Sequence, residues 1–315
     1  MTHFEPITHA EESGRARTGV SPIDNRPVAT ACTIVVTSYN RRSPLAQTLT
    51  KLTALVPLPP IIVVVNGSAD GSAAMVRERF PDVGLVELSG NRGAAGRNEG
   101  VRAARTRYVA FCDDDCWWRP GAMERAVALL DAYPNVGLLN ARVVVRGSRT
   151  DDACALMAAS PVPKTSHCPG RAIAMFMAGA CIMRRQAFLE AGGYHERYHI
   201  GAEESLLALD LHARGWEMIY VDDLVLDHHP ATTGRVPERR RRLVMRNRLW
   251  TAWLRRSRRD VLRETIILLR KARTDASARA ALREAVFGLA WVLRERRPID
   301  RRVEAMLDAV SELPA

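Results

Sequence analysis

Three consecutive acidic residues follow an apolar run in the segment FCDDDCWW, which spans residues 111–118. Adjacent carboxylates repel one another, and burying them without a partner is costly. Carboxylate oxygens are the ligands that hard divalent cations such as Mg²⁺ and Mn²⁺ prefer. We therefore predict a divalent-cation site here, with Asp113 and Asp115 turned toward one ion where the chain leaves a strand. The alternative is an acidic loop whose carboxylates are solvated.

Cys112 and Cys116 flank these acids, but they do not by themselves predict a zinc site. A structural zinc ion needs four nitrogen or sulfur ligands, and no other Cys or His pair in the sequence has a familiar ligand spacing. We expect the cysteines of this chain to be reduced and to pack in the core. They are Cys32, Cys112, Cys116, Cys154, Cys168 and Cys181.

Two further groups of ionisable residues are candidates for chemistry. Glu203 and Glu204 open a helical pattern, and a helix N-terminus stabilises carboxylates as anions, which suits a general base. Taken alone, the pair is explained better by ordinary charge complementarity with the helix dipole. His228 and His229 follow a strand-like run and are either metal ligands or polar surface.

The elements that must position these residues alternate between apolar runs and helical patterns. Such alternation is typical of an α/β fold, in which a mostly parallel sheet is covered by helices on both faces, as in a Rossmann-like nucleotide-binding half. Ligands of these sheets bind at the carboxyl ends of the strands. The predicted strands of this part are 32–38, 60–68, 83–89 and 107–112. The polar residues after them are Thr37, Tyr39, Asn40, Asn66, Asn91, Arg92 and Asp113 to Asp115.

The second half of the chain has longer strands and fewer regular helices. Its predicted segments are a helix at 120–133, strands at 136–147, 172–188 and 216–230, a long loop at 148–170 and a helix at 203–215. Beyond residue 234 the composition becomes Arg-rich and helical. We predict a flexible lead-in at 1–30, a catalytic domain at 31–234 and a basic α-helical region at 235–315.

The net charge of +11 belongs to the C-terminal region, because positions 235–315 hold 22 basic and 10 acidic residues. Any anionic partner is therefore expected there. Trp250, Trp253 and Trp291 lie among these arginines. An apolar helix face of this kind either packs on the catalytic domain or lies on an anionic membrane surface.

The sequence has no run of 18 apolar residues, and its N-terminus lacks the apolar core of a signal peptide. We expect a cytoplasmic protein that is peripheral on the inner face of the membrane. No nucleic-acid motif accompanies the arginines, so no nucleic-acid partner is expected.

Six segments resemble family 2 glycosyltransferases of the GT-A fold in their order and spacing. They are TIVVTSYNR, VVVNGSADG, NRGAAGRNEG, FCDDD, MAGACIMRRQAFLEAGGYHE and EESLLALDLHARGW, and together they cover about 32 to 230. The resemblance implies an inverting enzyme that moves a sugar from a nucleoside diphosphate donor to an acceptor hydroxyl, aided by Mg²⁺ or Mn²⁺. Its acceptor would be a saccharide, a lipid-linked molecule or another small molecule.

The resemblance also implies roles for individual residues. Tyr39 would stack on the base, and Glu204 would take the place of the catalytic base, with Glu203 as its alternative. Val65 stands where the family commonly has an Asp that binds the base, so Asn66 or the backbone must serve instead. The implied donor-site residues are Thr37, Tyr39, Asn66, Arg97, Asp113 and Asp114. The implied metal ligands are Asp113, Asp115 and either His228 or His229.

Two other functions are compatible with parts of the sequence. A nucleotidyltransferase-like enzyme also binds a nucleotide and a metal at strand ends, but it releases pyrophosphate rather than nucleoside diphosphate. A nucleic-acid-binding protein could use the Arg-rich region, although this leaves the strand-end residues unexplained. An aspartate-dependent phosphatase expects DxDx[TV], which Cys116 and Trp117 do not match.

Overall fold

The computed structural model describes residues 31–230 and 237–311. The predicted flexible lead-in at 1–30 and the predicted boundary near 235 lie outside the described residues. Within the described ranges, ten strands form one sheet. They are β1 (Cys32–Ser38), β2 (Ile61–Asn66), β3 (Gly84–Leu88), β4 (Tyr108–Asp113), β5 (Cys116–Trp118), β6 (Val136–Val145), β7 (Arg149–Thr150), β8 (Arg171–Ala172), β9 (Cys181–Arg184) and β10 (Glu217–His228).

The sheet is mostly parallel, with strand order β3-β2-β1-β4-β9-β6-β10-β5, while β7 pairs with β6 and β8 with β10. The strands β1, β2 and β4 are buried, and β1 and β2 are rich in β-branched residues, which favour extended backbone covered on both faces. Thr37 is in register with both Val64 and Asp113. The carboxyl ends of these strands therefore meet at one edge.

Twelve helices are described, and several of them cover the sheet. They are α1 (Arg42–Leu52), α2 (Ser72–Arg79), α3 (Gly96–Ala103), α4 (Ala122–Ala132), α5 (Asp152–Ala158), α6 (Arg185–Glu190), α7 (Glu203–Ala213), α8 (Pro237–Arg255), α9 (Arg258–Ala272), α10 (Ala276–Phe287), α11 (Leu289–Glu295) and α12 (Arg301–Ser311). The predicted α/β fold with a mostly parallel, helix-covered sheet is confirmed.

Two predicted segments were wrong in detail. Residues 172–188 do not form one strand: the chain leaves the sheet after β8, returns as the antiparallel strand β9 and continues directly into α6. A turn in which Ala180 N–H donates to Met177 O interrupts the run. The predicted loop at 148–170 contains β7 and α5, because the side chain of Asp151 caps that helix by accepting a hydrogen bond from Ala153 N–H.

The Arg-rich region packs through a core of its own. Trp250 and Trp291 are buried there, each 5% exposed, together with Tyr198 and Leu206 from the sheet-containing part. Helix α8 packs on α7, α9 and α10, whereas Val303 of α12 joins the main core. Trp250 and Trp291 are therefore covered by protein, while other apolar side chains of these helices, such as Phe287, remain exposed. Among the described residues, no helix is long and apolar enough to cross a membrane.

Candidate active site

A cavity of about 320 Å³ lies at the carboxyl edge of the sheet, between the end of β4 and the start of α7. The loop that leads to β9 forms its wall, and it passes so close to the acids that a Cβ added to Gly179 would lie 2.5 Å from Asp113 Oδ2. The ionisable residues that line the cavity are Arg97, Asp113, Cys116, Glu203, Glu204, His228 and Arg240. Five of the predicted site residues thus meet at one cavity.

Asp113 ends β4 and is paired with an arginine from α3. Arg97 Nη2 donates a hydrogen bond of 2.5 Å to Asp113 Oδ1. Burial of Arg97 disfavours its charged form, but Asp113, Tyr194 and Glu203 together outweigh this effect and raise the pKa of the guanidinium. Arg97 also lies over the ring of Tyr194, with 5.6 Å between its Cζ atom and the ring centroid. It is therefore a fixed cation beside a carboxylate that is still 43% exposed to the cavity.

Asp114 and Asp115 share a second arginine, Arg41, which the sequence analysis did not single out. Arg41 Nη2 donates a hydrogen bond of 2.7 Å to Asp115 Oδ2, and its Nε atom lies 2.9 Å from Asp114 Oδ1. Both aspartates are only 6% exposed. The signal that could have identified Arg41 is its place in TSYNRR, directly after the end of β1.

Asp114 does not line the cavity, although the resemblance implied donor contacts for it. Its Oδ2 atom accepts a hydrogen bond of 2.7 Å from Ser38 Oγ. Burial raises the pKa of Asp114 to about 7, even though Arg41 and Ser38 favour the anion. Asp114 is thus directed into the protein, where it contacts the side chains of Ser38 and Arg41.

Three potential metal-ligating atoms come together where β4, β5 and β10 meet. They belong to Asp115, Cys116 and His228 and lie within 4.8 Å of one another. His228 Nε2 is 3.5 Å from Asp115 Oδ1. Burial raises the pKa of the Cys116 thiol well above its ordinary value, which leaves the carboxylate and the imidazole as the suitable donors. Oxygen and nitrogen donors of this kind fit a divalent cation.

His229 does not share this position. Its ring stacks on Trp117, with 4.4 Å between the ring centroids, and its backbone N–H donates to Asp115 O. The prediction left the choice between the two histidines open. Of the two, His228 is the one beside the acids.

Glu203 and Glu204 face the acids from the N-terminus of α7. Glu203 is 6% exposed, and its Oε2 atom has no hydrogen-bond partner within the described part of the chain. Burial raises the pKa of both carboxyl groups, and the repulsion from Glu203 adds to this effect at Glu204, whose pKa is raised to about 7. A carboxylate with such a pKa can accept a proton at neutral pH.

Three other residues predicted to hold the nucleotide, Thr37, Tyr39 and Asn66, do not line this cavity. Thr37 is in register with Asp113, and its Oγ1 atom is buried without a hydrogen-bond partner in the described ranges. Tyr39 is 45% exposed at the same sheet edge. Asn66 is engaged elsewhere: its side chain donates to Gly93 O at 2.9 Å and accepts from Arg92 N–H at 2.9 Å. Its amide therefore holds the loop after β3.

Comparisons with known proteins identify the family of this chain. The sequence profile described as "Glycosyl transferase family 2" matches residues 33–192, which is half of the chain. The chain belongs to glycosyltransferase family 2. The matched part of this glycosyltransferase contains the strands β1 to β9, except Cys32 at the start of β1. It also contains Arg41, Arg97 and the three aspartates.

Curated relatives agree with this assignment. The glycosyltransferase is 25% identical over 252 residues to "N-acetylglucosaminyl-diphospho-decaprenol L-rhamnosyltransferase" of Mycobacterium tuberculosis, which covers 65% of this chain and 78% of the relative. It is 36% identical over 104 residues to "Succinoglycan biosynthesis protein ExoO" of Rhizobium meliloti, covering 32% of this chain and 30% of that protein.

Solved structures share the fold. The mannosyltransferase PcManGT from Pyrobaculum calidifontis, in complex with GDP-Man and Mn²⁺, has a TM-score of 0.55 and 19% identity, covering 89% of this chain and 86% of that one. Residues 1–349 of S. aureus TarS, in complex with UDP-GlcNAc, have a TM-score of 0.58 and 15% identity, covering 88% and 84%. The glycosyltransferase therefore has the GT-A fold.

Proposed function

We propose that this glycosyltransferase moves a sugar from a nucleoside diphosphate donor to an acceptor hydroxyl with inversion at the anomeric carbon. The observation that carries the proposal is that one cavity holds acids on two walls. Asp113, with Asp115 and His228 beside it, ends the strands, whereas Glu203 and Glu204 approach from α7. Two acid groups with different surroundings suit inverting transfer: one group would hold the cation that binds the leaving diphosphate, and the other accepts a proton.

The residues have separate tasks in this proposal. Asp115 and His228, with Asp113 in reach of the cavity, would hold a divalent cation, and that cation would stabilise the negative charge on the departing diphosphate. Arg97 holds Asp113 in place. Glu204 accepts the proton of the acceptor hydroxyl as its oxygen attacks the anomeric carbon, and Glu203 keeps the pKa of Glu204 high enough for this task.

The donor nucleotide is recognised on the side of β1 and β2. Tyr39 is exposed and can stack on a base, and Thr37 has an unpaired buried hydroxyl nearby. Val65 is buried and Asn66 is committed to its loop, so backbone groups of this edge contact the base. Structurally similar enzymes have been solved with GDP-Man and with UDP-GlcNAc, which supports a nucleotide-sugar donor without selecting the base.

A lipid-linked acceptor is supported by the M. tuberculosis relative, whose name specifies a diphospho-decaprenol acceptor. An acceptor of this kind lies in a membrane, so we further propose that the Arg-rich region contacts an anionic membrane surface. Exposed apolar side chains cluster near the junction of α10 and α11, where Phe287 is 89% and Leu293 is 65% exposed. Exposed arginines, including Arg283 and Arg294, lie beside them in the sequence.

The test is a panel of nucleotide-sugars with Mn²⁺ or Mg²⁺, scored by nucleoside diphosphate release. Asp115→Asn and Glu204→Gln should each abolish transfer while the variants remain folded by circular dichroism. Undiminished transfer by either folded variant would refute the role given to that residue. Release of pyrophosphate from a nucleoside triphosphate and a sugar 1-phosphate, with no nucleoside diphosphate released from the panel, would identify a nucleotidyltransferase.

A further inference from the structure

Arg41 is the resident cation of the acid cluster. We propose that its guanidinium competes with the divalent cation for Asp115, so that the cation binds tightly only together with a nucleoside diphosphate. This inference rests on the metal site of the proposed function. It adds a coupling between cation binding and donor binding that depends on Arg41.

The acid cluster already has a full set of arginine partners. Each of the three aspartates already has an arginine partner: Arg97 pairs with Asp113, while Arg41 pairs with both Asp114 and Asp115. Asp115 Oδ2 is taken by Arg41 at 2.7 Å, and only its Oδ1 atom is directed toward His228. A divalent cation that arrives alone must therefore share Asp115 with a guanidinium.

Arg41 is held in this place by the fold. The preceding residue, Asn40, has a left-handed backbone with φ of 51°. Its backbone N–H donates to Ser68 Oγ at 2.9 Å, and its side chain accepts from Ala69 N–H at 2.9 Å. These bonds tie the turn after β1 to the loop after β2. The turn therefore delivers the guanidinium to the acids without help from a ligand.

The charge of Arg41 acts directly on a cation bound at Asp115. A divalent cation beside Asp115 is repelled by the charge of Arg41, and this repulsion is strong because Asp114 and Asp115 are each only 6% exposed. A diphosphate brings negative charge that offsets both cations. Its oxygens can also accept hydrogen bonds from the N–H groups of Arg41 when these no longer donate to Asp115. Donor and cation should therefore strengthen each other's binding, and Arg41 should be the source of much of that coupling.

The experiment measures Mn²⁺ binding to the full chain by electron paramagnetic resonance of free Mn²⁺, with no sugar transfer involved. Arg41→Gln keeps hydrogen-bond donors near the acids but removes the charge, whereas Arg41→Lys keeps the charge. Arg42→Gln is the matched control, because Arg42 is the next residue and its side chain is exposed. Each protein is titrated alone and with UDP or GDP, and its folding is checked by thermal melting.

Arg41→Gln should bind Mn²⁺ alone about tenfold more tightly than the unmodified protein, since one repelling charge has been removed. The increase in Mn²⁺ affinity on adding the nucleoside diphosphate should be correspondingly smaller in this variant. Arg41→Lys and Arg42→Gln should behave like the unmodified protein. If Arg41→Gln does not fold, Arg41→Asn takes its place. Tighter Mn²⁺ binding by Arg41→Asn than by the unmodified protein would then support the proposal. A lower Mn²⁺ affinity, or an unchanged effect of UDP and GDP on that affinity, would decide against it.

Two negative results have different meanings. Equal Mn²⁺ affinities for Arg41→Gln and the unmodified protein, with tight Mn²⁺ binding in the presence of UDP or GDP, would overturn the role of Arg41 and leave the metal-assisted function in place. Absence of Mn²⁺ binding in every protein and condition would overturn both.

Discussion

Single residues in the cavity differ in their surroundings, and these surroundings suit them to different tasks. Glu204 lies in surroundings that raise its pKa to about 7, mainly through burial and then through repulsion from Glu203. Asp113 remains 43% exposed and is paired with Arg97. A carboxyl group that exchanges its proton near neutral pH is a suitable base, while a carboxylate that is open to the cavity is placed to contact a ligand.

The pH dependence of the rate follows from the raised pKa of Glu204. Because a base must be ionised to accept a proton, kcat should fall about tenfold per pH unit below about 7 and level off above it. The ionisable groups that face Glu204 are Glu203, Arg97, Arg240, Cys181 and Tyr194. Arg240 lowers the pKa of Glu204, so Arg240→Gln should move the midpoint of the kcat profile to higher pH. Arg239→Gln is the neighbouring control, and a profile that is flat from pH 6 to 8 would contradict the assignment.

The two glutamates can be separated by isosteric substitution. Glu204→Gln should lower kcat by about 10²–10⁴, the usual contribution of a general base. Glu203→Gln should retain more activity and should move the pH midpoint downward, because it removes the repulsion that raises the pKa of Glu204. Single-turnover rates of both variants across pH 5.5–8.5 provide the measurement. The reverse pattern, with the larger loss in Glu203→Gln, would make Glu203 the base.

At the scale of elements, helix α8 holds the loop that leads into α7, the helix that carries Glu203 and Glu204. Asn247 is fully buried and donates hydrogen bonds to Tyr198 O at 2.9 Å and to Gly201 O at 2.6 Å. At Gly201 a Cβ would lie only 2.8 Å from Val244, so the loop and α8 are in close contact. Arg255 of α8 also pairs with Asp210 of α7, at 2.5 Å. The Arg-rich region thus supports the position of Glu203 and Glu204.

Replacement of Asn247 should therefore affect both stability and catalysis. Asn247→Leu has a similar volume but leaves buried carbonyl oxygens without donors, which should cost about 2–4 kcal/mol of unfolding free energy. Because the loop enters α7, kcat should fall while the KM for the donor changes little. Urea denaturation and initial rates measure the two effects, and Arg248→Ala at the exposed neighbouring position is the control. A loss of stability with unchanged kcat would show that α8 supports the fold alone.

Local patterns in the sequence predicted the elements that have strong periodicity. The strands β1 and β4 and the helix α7 lie within a few residues of their predicted bounds, because buried β-branched runs and helix starts are local signals. The strand β9 was predicted only as part of one longer strand, and neither its antiparallel pairing nor the pairing of Arg41 with Asp115 was predicted. Both depend on which segments meet across the sheet, and residue order alone does not contain that information.

At the scale of the whole molecule, the charge and the exposed apolar surface lie in the same region. The described helices from α8 onward contain most of the excess arginines, yet their tryptophans Trp250 and Trp291 are buried. The apolar side chains that remain exposed are on other helix faces. They are Leu262, Ile267, Leu269, Val286, Phe287, Leu289 and Leu293. Internal packing therefore accounts for the tryptophans but not for this second set.

Removal of the Arg-rich region is a poor test of membrane contact, since α8 supports α7, so point variants are required. Phe287→Glu combined with Leu293→Glu should lower binding to phosphatidylglycerol vesicles at least about tenfold, because burying either side chain contributes about 1.5–3 kcal/mol. Leu156→Glu, at a residue that is 64% exposed on α5, is the matched control and should bind normally. Sedimentation with vesicles at low salt gives the bound fraction.

The same variants distinguish a membrane from a second protein copy as the occupant of this surface. Binding to a membrane should weaken at high salt and on neutral phosphatidylcholine vesicles, because the arginines contribute through anionic headgroups. A dimer of the unmodified protein that becomes monomeric in the Phe287→Glu, Leu293→Glu variant, seen by light scattering, would instead assign the surface to self-association.

Transfer to a short soluble acceptor should be equal in both proteins, since neither residue lines the cavity. Loss of that activity would show that the substitutions disturb α8 and its contact with α7 rather than the membrane surface.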